Sequence, residues 1–390
     1  MKVKKIEVLH CDGGWRPWTV VKVQTDDGIT GYGECSDNRL PHSIAGCVRD
    51  LEHLVLGRDP RAIEMVYWDL YRAGRQALGG VVQKAIAGID LALWDIKAKA
   101  LGVPVYELFG GPTRDKVRVY WSHCGTTRAR YAEMLGLPPL RTLEDIARLG
   151  REVVRRGFTA LKTNIIIPGD PATVYMPGFA GGYGTTDQNA DPGLIRHIQT
   201  LIHTFREAVG PDVDINLDLN FNFKTDGCIR IAKAVEPYNL LWLEIDNYNP
   251  EALLQIKQAT TTRLCSGENL YTARQYRRYF ELQCIDYVMV DVPWNGFTES
   301  RKIATMAEPY DINIAPHNYY SHLSSFISAH LCATVPNVRI MEIDIDDVPW
   351  KDDIVTNPPE ISNGYMTLPE RPGWGTDLNE KEVAKHPWNR

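Results

Sequence analysis

The first part of the chain changes from an alternating pattern to a helical one. Apolar and polar residues alternate over 3–10, 18–25 and 29–34, which predicts antiparallel strands, and Asp26-Asp27-Gly28 supplies the turn between the last two. Apolar residues then recur with helical spacing over 43–55, 62–73 and 82–100. Strands followed by helices indicate a small α+β domain, which we place at residues 1–112.

From residue 117 the pattern becomes one of short apolar segments separated by amphipathic ones. The apolar segments predict strands at 117–121, 160–166, 214–218, 241–244, 263–267, 287–291, 313–316 and 339–342. The stretches between them predict helices at 143–156, 194–209, 253–259, 273–282, 299–310 and 323–335. Alternating strands and helices imply a parallel sheet, and about eight repeats indicate an α/β barrel over residues 113–349.

Two further segments interrupt or follow this regular pattern. The tail, residues 350–390, is rich in Pro, Gly and Trp, and we expect it to pack back on the first domain. Residues 168–192 form a long segment of mostly small residues directly after a predicted strand. This segment is either a tolerated surface insertion or a lid over the mouth of the barrel, because long loops in compact domains often cover active sites.

Composition narrows the class of protein. The 390 residues are 44% hydrophobic and 24% charged, as in a soluble globular protein, and the net charge of −6 argues against a nucleic-acid partner. No apolar run is long enough for a membrane span, and the N-terminus lacks the apolar segment of a secretory signal. The eight cysteines are scattered without a C-x-x-C pair, so we expect reduced thiols in a cytoplasmic protein.

Three acidic residues stand at the ends of consecutive predicted strands. Asp218, Glu244 and Glu268 are separated by 26 and 24 residues, about one strand–helix unit each. In a barrel this spacing places them side by side at the C-terminal rim, where active sites of this architecture lie. Any one of them alone would be interpreted as a helix cap or a salt-bridge partner. Three carboxylates in one pocket repel unless a cation neutralises them, and all-oxygen ligands favour Mg²⁺.

The series of strand-end residues continues with Asp291, His317 and Glu342, again about one unit apart. A histidine beside an aspartate on the neighbouring strand is a base with its orienting partner. Lys162 lies among apolar residues of the second predicted barrel strand, where a charge is costly unless the strand faces a polar interior. Its role is either a salt bridge to a metal-ligand carboxylate, or stabilisation of developing negative charge or proton transfer.

These residues together resemble the mandelate racemase branch of the enolase superfamily, over nearly the whole chain. The segment KAIAGIDLALWDIKAKALGVPVYELFGG at 84–111 is similar to the helix that joins the two domains in that branch, and NGYMTLPERPGWGTDLNE at 363–380 is similar to its returning tail. The resemblance implies an α+β capping domain on a modified TIM barrel, (β/α)₇β. It also implies three Mg²⁺ ligands (Asp218, Glu244, Glu268), a His317–Asp291 dyad, a last-strand acid at Glu342 and a homo-oligomer.

Departures from the family pattern limit which reactions we expect the protein to catalyse. Many members carry Lys-x-Lys on the second strand, whereas this chain has Lys162-Thr163-Asn164, and Asn220 stands where some dehydratases have His or Lys. A racemase needs a base on each face of the α-carbon, and asparagine can donate hydrogen bonds but cannot act as a base. The Lys-x-Asn pattern resembles acid-sugar dehydratases of the galactonate type. We therefore expect a Mg²⁺-dependent hydro-lyase that converts a small carboxylate, an aldonate, to a 2-keto-3-deoxy acid.

Other interpretations of the sequence remain open. A racemase or epimerase of a 2-hydroxy acid would use the same metal site, and a Schiff-base aldolase would use Lys162 but would need no carboxylate trio. A non-catalytic relative would keep the barrel for binding alone. Asn164 and Asn220 are candidate substrate ligands. Arg16 and Trp18, in the turn between the first two strands, either contact the distal hydroxyls of the substrate or belong to an ordinary surface turn.

Overall fold

The computed structural model describes residues 1–180 and 189–389. The first region pairs three antiparallel strands in the order β1-β2-β3 and covers them with helices. Its elements are β1 (Val3–Asp12), β2 (Pro17–Thr25), β3 (Thr30–Glu34), α1 (Pro41–Leu51), α2 (Ile63–Ala73) and α3 (Gly80–Leu101). The predicted strand β2 is confirmed, but burial alternates only in its second half: Val21 and Val23 are buried and Lys22 is half-buried, whereas all residues of 17–21 are buried.

The larger region alternates strands and helices along most of its length. Its elements are β4 (Lys116–Ser122), α4 (Thr126–Leu135), α5 (Leu143–Arg155), β5 (Ala160–Thr163), β6 (Ile166–Ile167), β7 (Thr173–Val174), α6 (Pro177–Ala180), α7 (Pro192–Val209), β8 (Asp214–Asp218), α8 (Thr225–Val235), β9 (Trp242–Glu244), α9 (Pro250–Gln258), β10 (Leu264–Ser266), α10 (Thr272–Glu281), β11 (Tyr287–Val288), α11 (Val292–Ala307), β12 (Asn313–Ile314), α12 (His322–Thr334) and β13 (Met341–Asp344). The tail adds β14 (Ile361–Ser362), β15 (Tyr365–Thr367) and α13 (Glu380–Val383).

Eight parallel strands close into a barrel. They follow the order β4-β5-β8-β9-β10-β11-β12, and β13 pairs with β4. Hydrogen bonds from Arg339 N to Ile314 O (2.9 Å) and from Glu342 N to Pro316 O (3.2 Å) join the last two strands. Helices follow the first seven strands, and the tail follows β13. The expected (β/α)₇β barrel with an α+β cap is therefore confirmed.

Helix α3 fixes the first region to the barrel. Almost every side chain between Gln83 and Ile96 is buried, because the helix lies between β3 and α11. A Cβ at Gly33 would stand 2.2 Å from the carbonyl oxygen of Gly88, so only glycine there lets the helix pack against the strand at this distance. On the barrel side, Thr298 N donates to Asp90 (3.1 Å), and this hydrogen bond joins α11 to α3.

Several predicted boundaries are wrong, and each has a local reason. The strand expected at 160–166 ends at Thr163, because Ile166–Ile167 leaves the barrel and pairs with Thr173–Val174 as a small hairpin. The helix expected at 299–310 begins at Val292 and continues across a kink at Gly296. Helix α4 was not predicted, since its mixed sequence has no clear apolar face.

The tail contacts both parts of the molecule. Trp374 Nε1 donates to Tyr32 O (2.9 Å), and Glu380 accepts from Lys22 and Tyr32 (2.7 Å each), so the last residues lie against the strands of the first region. The hairpin β14–β15 pairs with β4 of the barrel, which the sequence did not indicate.

Two other expectations concern the segment 168–192 and the environment of the chain. Residues 181–188 of that segment lie outside the described residues, and Met176 and Phe179, just before them, line the cavity at the barrel mouth. All eight cysteines are free thiols. In the described part of the chain, no helix combines the length and apolar character that crossing a membrane requires.

Candidate active site

A cavity of about 600 Å³ opens at the carboxyl ends of the barrel strands. Side chains from the barrel and from the first region line it together, and Trp388 of the tail adds to its rim. From the barrel come His123, Lys162, Asn164, Asp218, Asn220, Glu268, Trp294, His317 and Tyr319, and from the first region Trp15, Asp37, Asn38, Arg39 and Lys84. The site therefore lies where this architecture places its active sites.

The three strand-end acids lie on neighbouring strands, as their spacing indicated. Asp218 and Glu244 are direct partners in the β8–β9 register, and Glu268 follows β10 by two residues. Each carboxylate accepts from, or pairs with, a different nitrogen: Asp218 with Asn220 Nδ2 (3.0 Å), Glu244 with Lys162 Nζ (3.1 Å) and Glu268 with His317 Nε2 (3.2 Å).

The donor set fits a hard divalent cation. Burial and the nearby acid Asp246 raise the pKa of Glu268 to about 8, and burial, with Asp218 and Glu268, holds the pKa of Glu244 well above its usual value. This crowding of negative charge is what a bound cation would relieve. Among the described residues, no group of three His, Cys, Asp or Glu side chains stands ready to hold a metal ion.

Lys162 occupies the centre of a buried ionic cluster beneath the cavity. Its Nζ lies 3.1 Å from Glu244, 2.9 Å from Glu342 and 3.9 Å from Asp218, and the residue is 2% exposed. Burial opposes its charge, but Glu244 and Glu342 outweigh that effect and hold the pKa of Lys162 well above its usual value. The expected salt bridge to a strand-end carboxylate is therefore present, and the lysine is a fixed positive charge.

The histidine–aspartate dyad has the geometry of a base and its orienting partner. His317 Nδ1 lies 2.6 Å from Asp291 Oδ2, which leaves Nε2 directed at Glu268. Asp291 also accepts from Tyr320 Oη and from Trp294 N (2.8 Å), as the cap of α11. Burial lowers the pKa of His317, but Glu268, Glu342 and Asp291 outweigh it and raise the pKa to about 10.

Glu342, Asn164 and Asn220 are the remaining predicted site residues that the barrel contributes. Glu342 accepts from Ser122 Oγ and from Asn318 N (2.8 Å), and Lys162 outweighs the effect of burial to hold its pKa far below the usual range. Asn164 Nδ2 donates to Asn220 Oδ1 (3.1 Å), and Asn220 donates in turn to Asp218. Both asparagines line the cavity, as a substrate-binding role requires.

Arg16 and Trp18 do not line the cavity, so the prediction that they contact substrate is wrong. Trp18 is fully buried under the first sheet, and Arg16 is 1% exposed with its guanidinium paired to Asp344 (3.2 Å) and Asp347 (2.9 Å). The residue before them, Trp15, faces the cavity instead, with the Arg16 guanidinium 4.5 Å from its ring centroid. The turn reverses direction at this point, and the pattern of residue types does not reveal which side chain turns inward.

Three side-chain contacts near the cavity were not predicted from the sequence. Tyr320 donates to Asp291, Tyr319 packs against His317 (ring centroids 5.0 Å apart), and Asp344 binds His123. Of these residues, only Asp344 could have been predicted from the sequence. It lies two positions after Glu342 on the same strand, so the alternation of side chains puts both acids on one side.

Comparison with known proteins agrees with the fold. Residues 14–110 match the mandelate racemase / muconate lactonizing enzyme N-terminal domain, and residues 145–382 match the enolase C-terminal domain-like family. A D-xylonate dehydratase of Haloferax volcanii is 30% identical, with 99% of this chain and 89% of the relative covered. A D-gluconate dehydratase of Thermoproteus tenax is 29% identical, with 98% and 74% covered.

Solved structures show the same architecture. A Burkholderia xenovorans protein provisionally named an L-alanine-DL-glutamate epimerase is 40% identical with a TM-score of 0.96, and 99% of this chain and 98% of that chain are covered. The same protein bound to magnesium and fumarate has a TM-score of 0.95 at 40% identity, with 99% and 96% covered. By these matches over both of its regions, the chain belongs to the mandelate racemase and muconate lactonizing enzyme branch of the enolase superfamily.

Proposed function

We propose that this protein is a Mg²⁺-dependent dehydratase of an acid sugar, an aldonate, that yields a 2-keto-3-deoxy acid. The observation that carries the proposal is the His317–Asp291 dyad, whose Nε2 faces the cavity and lies 3.2 Å from the carboxylate of Glu268. The D-xylonate and D-gluconate dehydratases among the relatives support the same reaction and the hydro-lyase class.

The dyad would take the proton from the carbon next to the substrate carboxylate. Asp291 holds Nδ1, so Nε2 is the nitrogen that would accept a proton from a molecule in the cavity, once the charge of Glu268 that raises the pKa of His317 is neutralised. Tyr320 and Trp294 N fix the aspartate, and through it the plane of the imidazole. A base with only one available nitrogen, held on both sides, approaches the α-carbon from one face.

Asp218, Glu244 and Glu268 would hold the Mg²⁺ ion, which supplies Lewis acidity that stabilises negative charge on the substrate carboxylate. The buried ammonium of Lys162 adds a fixed positive charge beneath the same part of the cavity. Asn164 and Asn220 present amide groups that can hydrogen-bond substrate hydroxyls. Glu342 keeps Lys162 in place from the opposite side.

Epimerisation of a 2-hydroxy acid is the second candidate, favoured by the provisional name of the 40% identical structure. It requires a second base on the other face of the α-carbon. Lys162, on that side, is committed to two carboxylates, and position 164 is an asparagine. These observations favour dehydration, in which protonation at C2 from a second face is not needed.

The test is a panel of aldonic and aldaric acids, including D-xylonate, D-gluconate, D-galactonate and D-mannonate, incubated with Mg²⁺ and assayed for 2-keto acid. We expect one or more aldonates to be dehydrated, the activity to vanish with EDTA, and His317→Asn to be inactive. His203→Asn, at an exposed histidine outside the cavity, is the matched control and should retain full activity.

Repeating the panel in D₂O separates the two candidates. An epimerase would return the intact hydroxy acid as its C2 epimer with deuterium at C2, whereas a dehydratase releases a keto acid whether or not it also exchanges the C2 proton. A folded, Mg²⁺-binding protein that neither dehydrates nor exchanges any acid of the panel would refute both.

A further inference from the structure

A second histidine–carboxylate pair faces the same cavity. His123 follows β4, and its Nδ1 lies 2.8 Å from Asp344 Oδ1 at the end of β13, so Nε2 is the ring nitrogen left for a partner in the cavity. The backbone of His123 has φ of 46°, in the left-handed region that few non-glycine residues adopt. Strain of this kind is kept where the surrounding structure enforces it, often at functional sites.

A buried ionic network holds this pair in place. Asp344 is 2% exposed in its side chain and pairs with Arg16, which also binds Asp347. Lys351 in turn pairs with Asp347 at 2.9 Å. Arg16 comes from the turn between β1 and β2, so the first region and the barrel both contribute to the orientation of one imidazole. A histidine with only a packing role would not require this number of desolvated charges.

The barrel order places the two histidines on the same side of the cavity. β12, which precedes His317, and β4, which precedes His123, are the two neighbours of β13, and β13 lies across the barrel from β9. Both rings pack against Tyr319, with centroid distances of 5.0 Å for His317 and 6.2 Å for His123. A chain-like acid whose carboxylate lies at the strand-end acids of β8–β10 would therefore extend toward both imidazoles.

The lysines and asparagines of the cavity are less suited to deliver a proton. Lys162 points at Glu244 and Glu342, and Asn164 and Asn220 do not ionise. Lys84 is ion-paired with Asp37 and lies 3.6 Å from the centroid of the Trp294 ring, so it too is committed. His123 combines a free ring nitrogen, a carboxylate partner and access to the cavity.

We propose that His123 is the general acid that protonates the departing β-hydroxyl, a role that rests on the dehydratase function proposed above. His317 Nε2 takes the α-proton, and the electrons of that C–H bond form the C2–C3 double bond. The C3–O bond breaks with its electrons on oxygen, and Nε2 of His123 gives that oxygen its proton, so that water leaves. The resulting enol tautomerises to the keto acid, and solvent restores both imidazoles.

The test compares His123→Gln with His317→Asn, and uses His203→Gln as the matched control. Each variant is assayed in D₂O with the panel acid that the wild type dehydrates fastest, and with the 3-deoxy-3-fluoro analogue of that acid. For His123→Gln we expect dehydration to fall about 100-fold or more, as is typical for loss of a general acid. Exchange at C2 and release of fluoride, which needs no proton on the leaving group, should stay within about tenfold of the wild type.

The outcomes separate the two proposals. Dehydration by His123→Gln within about threefold of the wild type would overturn the acid role. Loss of exchange and fluoride release together with dehydration would also overturn it, because His123 would then serve binding or folding, which the unfolding midpoint distinguishes. A wild-type protein that neither exchanges nor dehydrates any panel acid would refute the dehydratase function itself, and with it the role of His123.

Discussion

The two sides of the cavity are built in different ways. The acidic wall (Asp218, Glu244 and Glu268) consists of residues at the ends of consecutive strands, and Lys162 from the neighbouring strand offsets part of its negative charge. The cap-side wall (Trp15, His123 and Tyr319) consists of residues from three distant segments. They are joined by Arg16, which pairs with Asp344 and donates to Tyr319 O (2.8 Å).

The two walls differ in which parts of the chain they depend on. The acidic wall depends only on the barrel, so it persists as long as the strands keep their order. The cap-side wall requires the first region to be docked, because Arg16 and Trp15 enter from that region. Changes on the acidic wall should therefore affect charge balance and kcat, whereas changes at Trp15 and Arg16 should also affect docking and KM. His123 differs from the rest of the cap-side wall, because its proposed role as general acid makes its loss an effect on kcat.

The largest effect is expected from Lys162→Met, which leaves Glu244 and Glu342 buried without their cation. Breaking a buried ion pair on one side costs about 3–5 kcal/mol of unfolding free energy, and loss of the charge should lower kcat by about 100- to 1,000-fold. Urea unfolding measures the loss of unfolding free energy, and steady-state kinetics measure the fall in kcat. Lys257→Met, whose pair with Asp286 is 30% and 29% exposed, should cost about 1 kcal/mol or less. Equal costs at both sites would contradict the central role of Lys162.

Magnesium should stabilise the acidic wall selectively. At a Mg²⁺ concentration 100 times the dissociation constant, linkage predicts about 2.7 kcal/mol of added stability. Urea unfolding with Mg²⁺ and with EDTA measures it. The gain should vanish in Glu244→Gln and persist in Glu281→Gln, a surface acid on α10. Stabilisation of Glu244→Gln as large as that of the wild type would place the metal elsewhere.

Arg16→Met tests the cap-side wall. It removes the cation between Asp344 and Asp347, but Lys351 still pairs with Asp347, so we expect a cost of about 2 kcal/mol, below that of Lys162→Met. KM should rise because Trp15 loses its support, and kcat should fall because Asp344, the partner of the proposed general acid His123, loses its own partner Arg16. Arg278→Met, in an ion pair more than half exposed, should leave the unfolding midpoint unchanged. Unchanged KM and kcat would mean that Arg16 does not act through the walls of the cavity.

Tyr320→Phe should have the smallest effect, at the dyad between the two walls. Loss of the hydroxyl removes one hydrogen bond from buried Asp291, which costs about 1 kcal/mol and should lower kcat about tenfold. KM should stay the same, since Tyr320 does not line the cavity. Tyr310→Phe, at a residue far from the dyad, is the control. An unchanged kcat would show that His317 and Trp294 N alone orient the aspartate.

Much of the fold was predictable because its signals are local. The strand pattern predicted β2, and the regular spacing of strand-end residues predicted the barrel and six candidate site positions, from Asp218 to Glu342. The short hairpin β6–β7 and helix α4 were missed, since neither has enough residues of one period to stand out. The start of α11 at Val292 was missed because Pro293 and Gly296 interrupt its pattern.

The sequence by itself determined the acidic wall. Parallel strands end at one rim, so acids that recur at one strand–helix spacing must meet there whatever the details of packing. Only the tertiary structure decided the cap-side wall. Whether Trp15, Arg16 or Trp18 faces the cavity depends on how a turn reverses against the barrel, and the pairing of His123 with Asp344 joins residues 221 positions apart. No local period encodes contacts over such a distance, because they arise from the docking of whole elements.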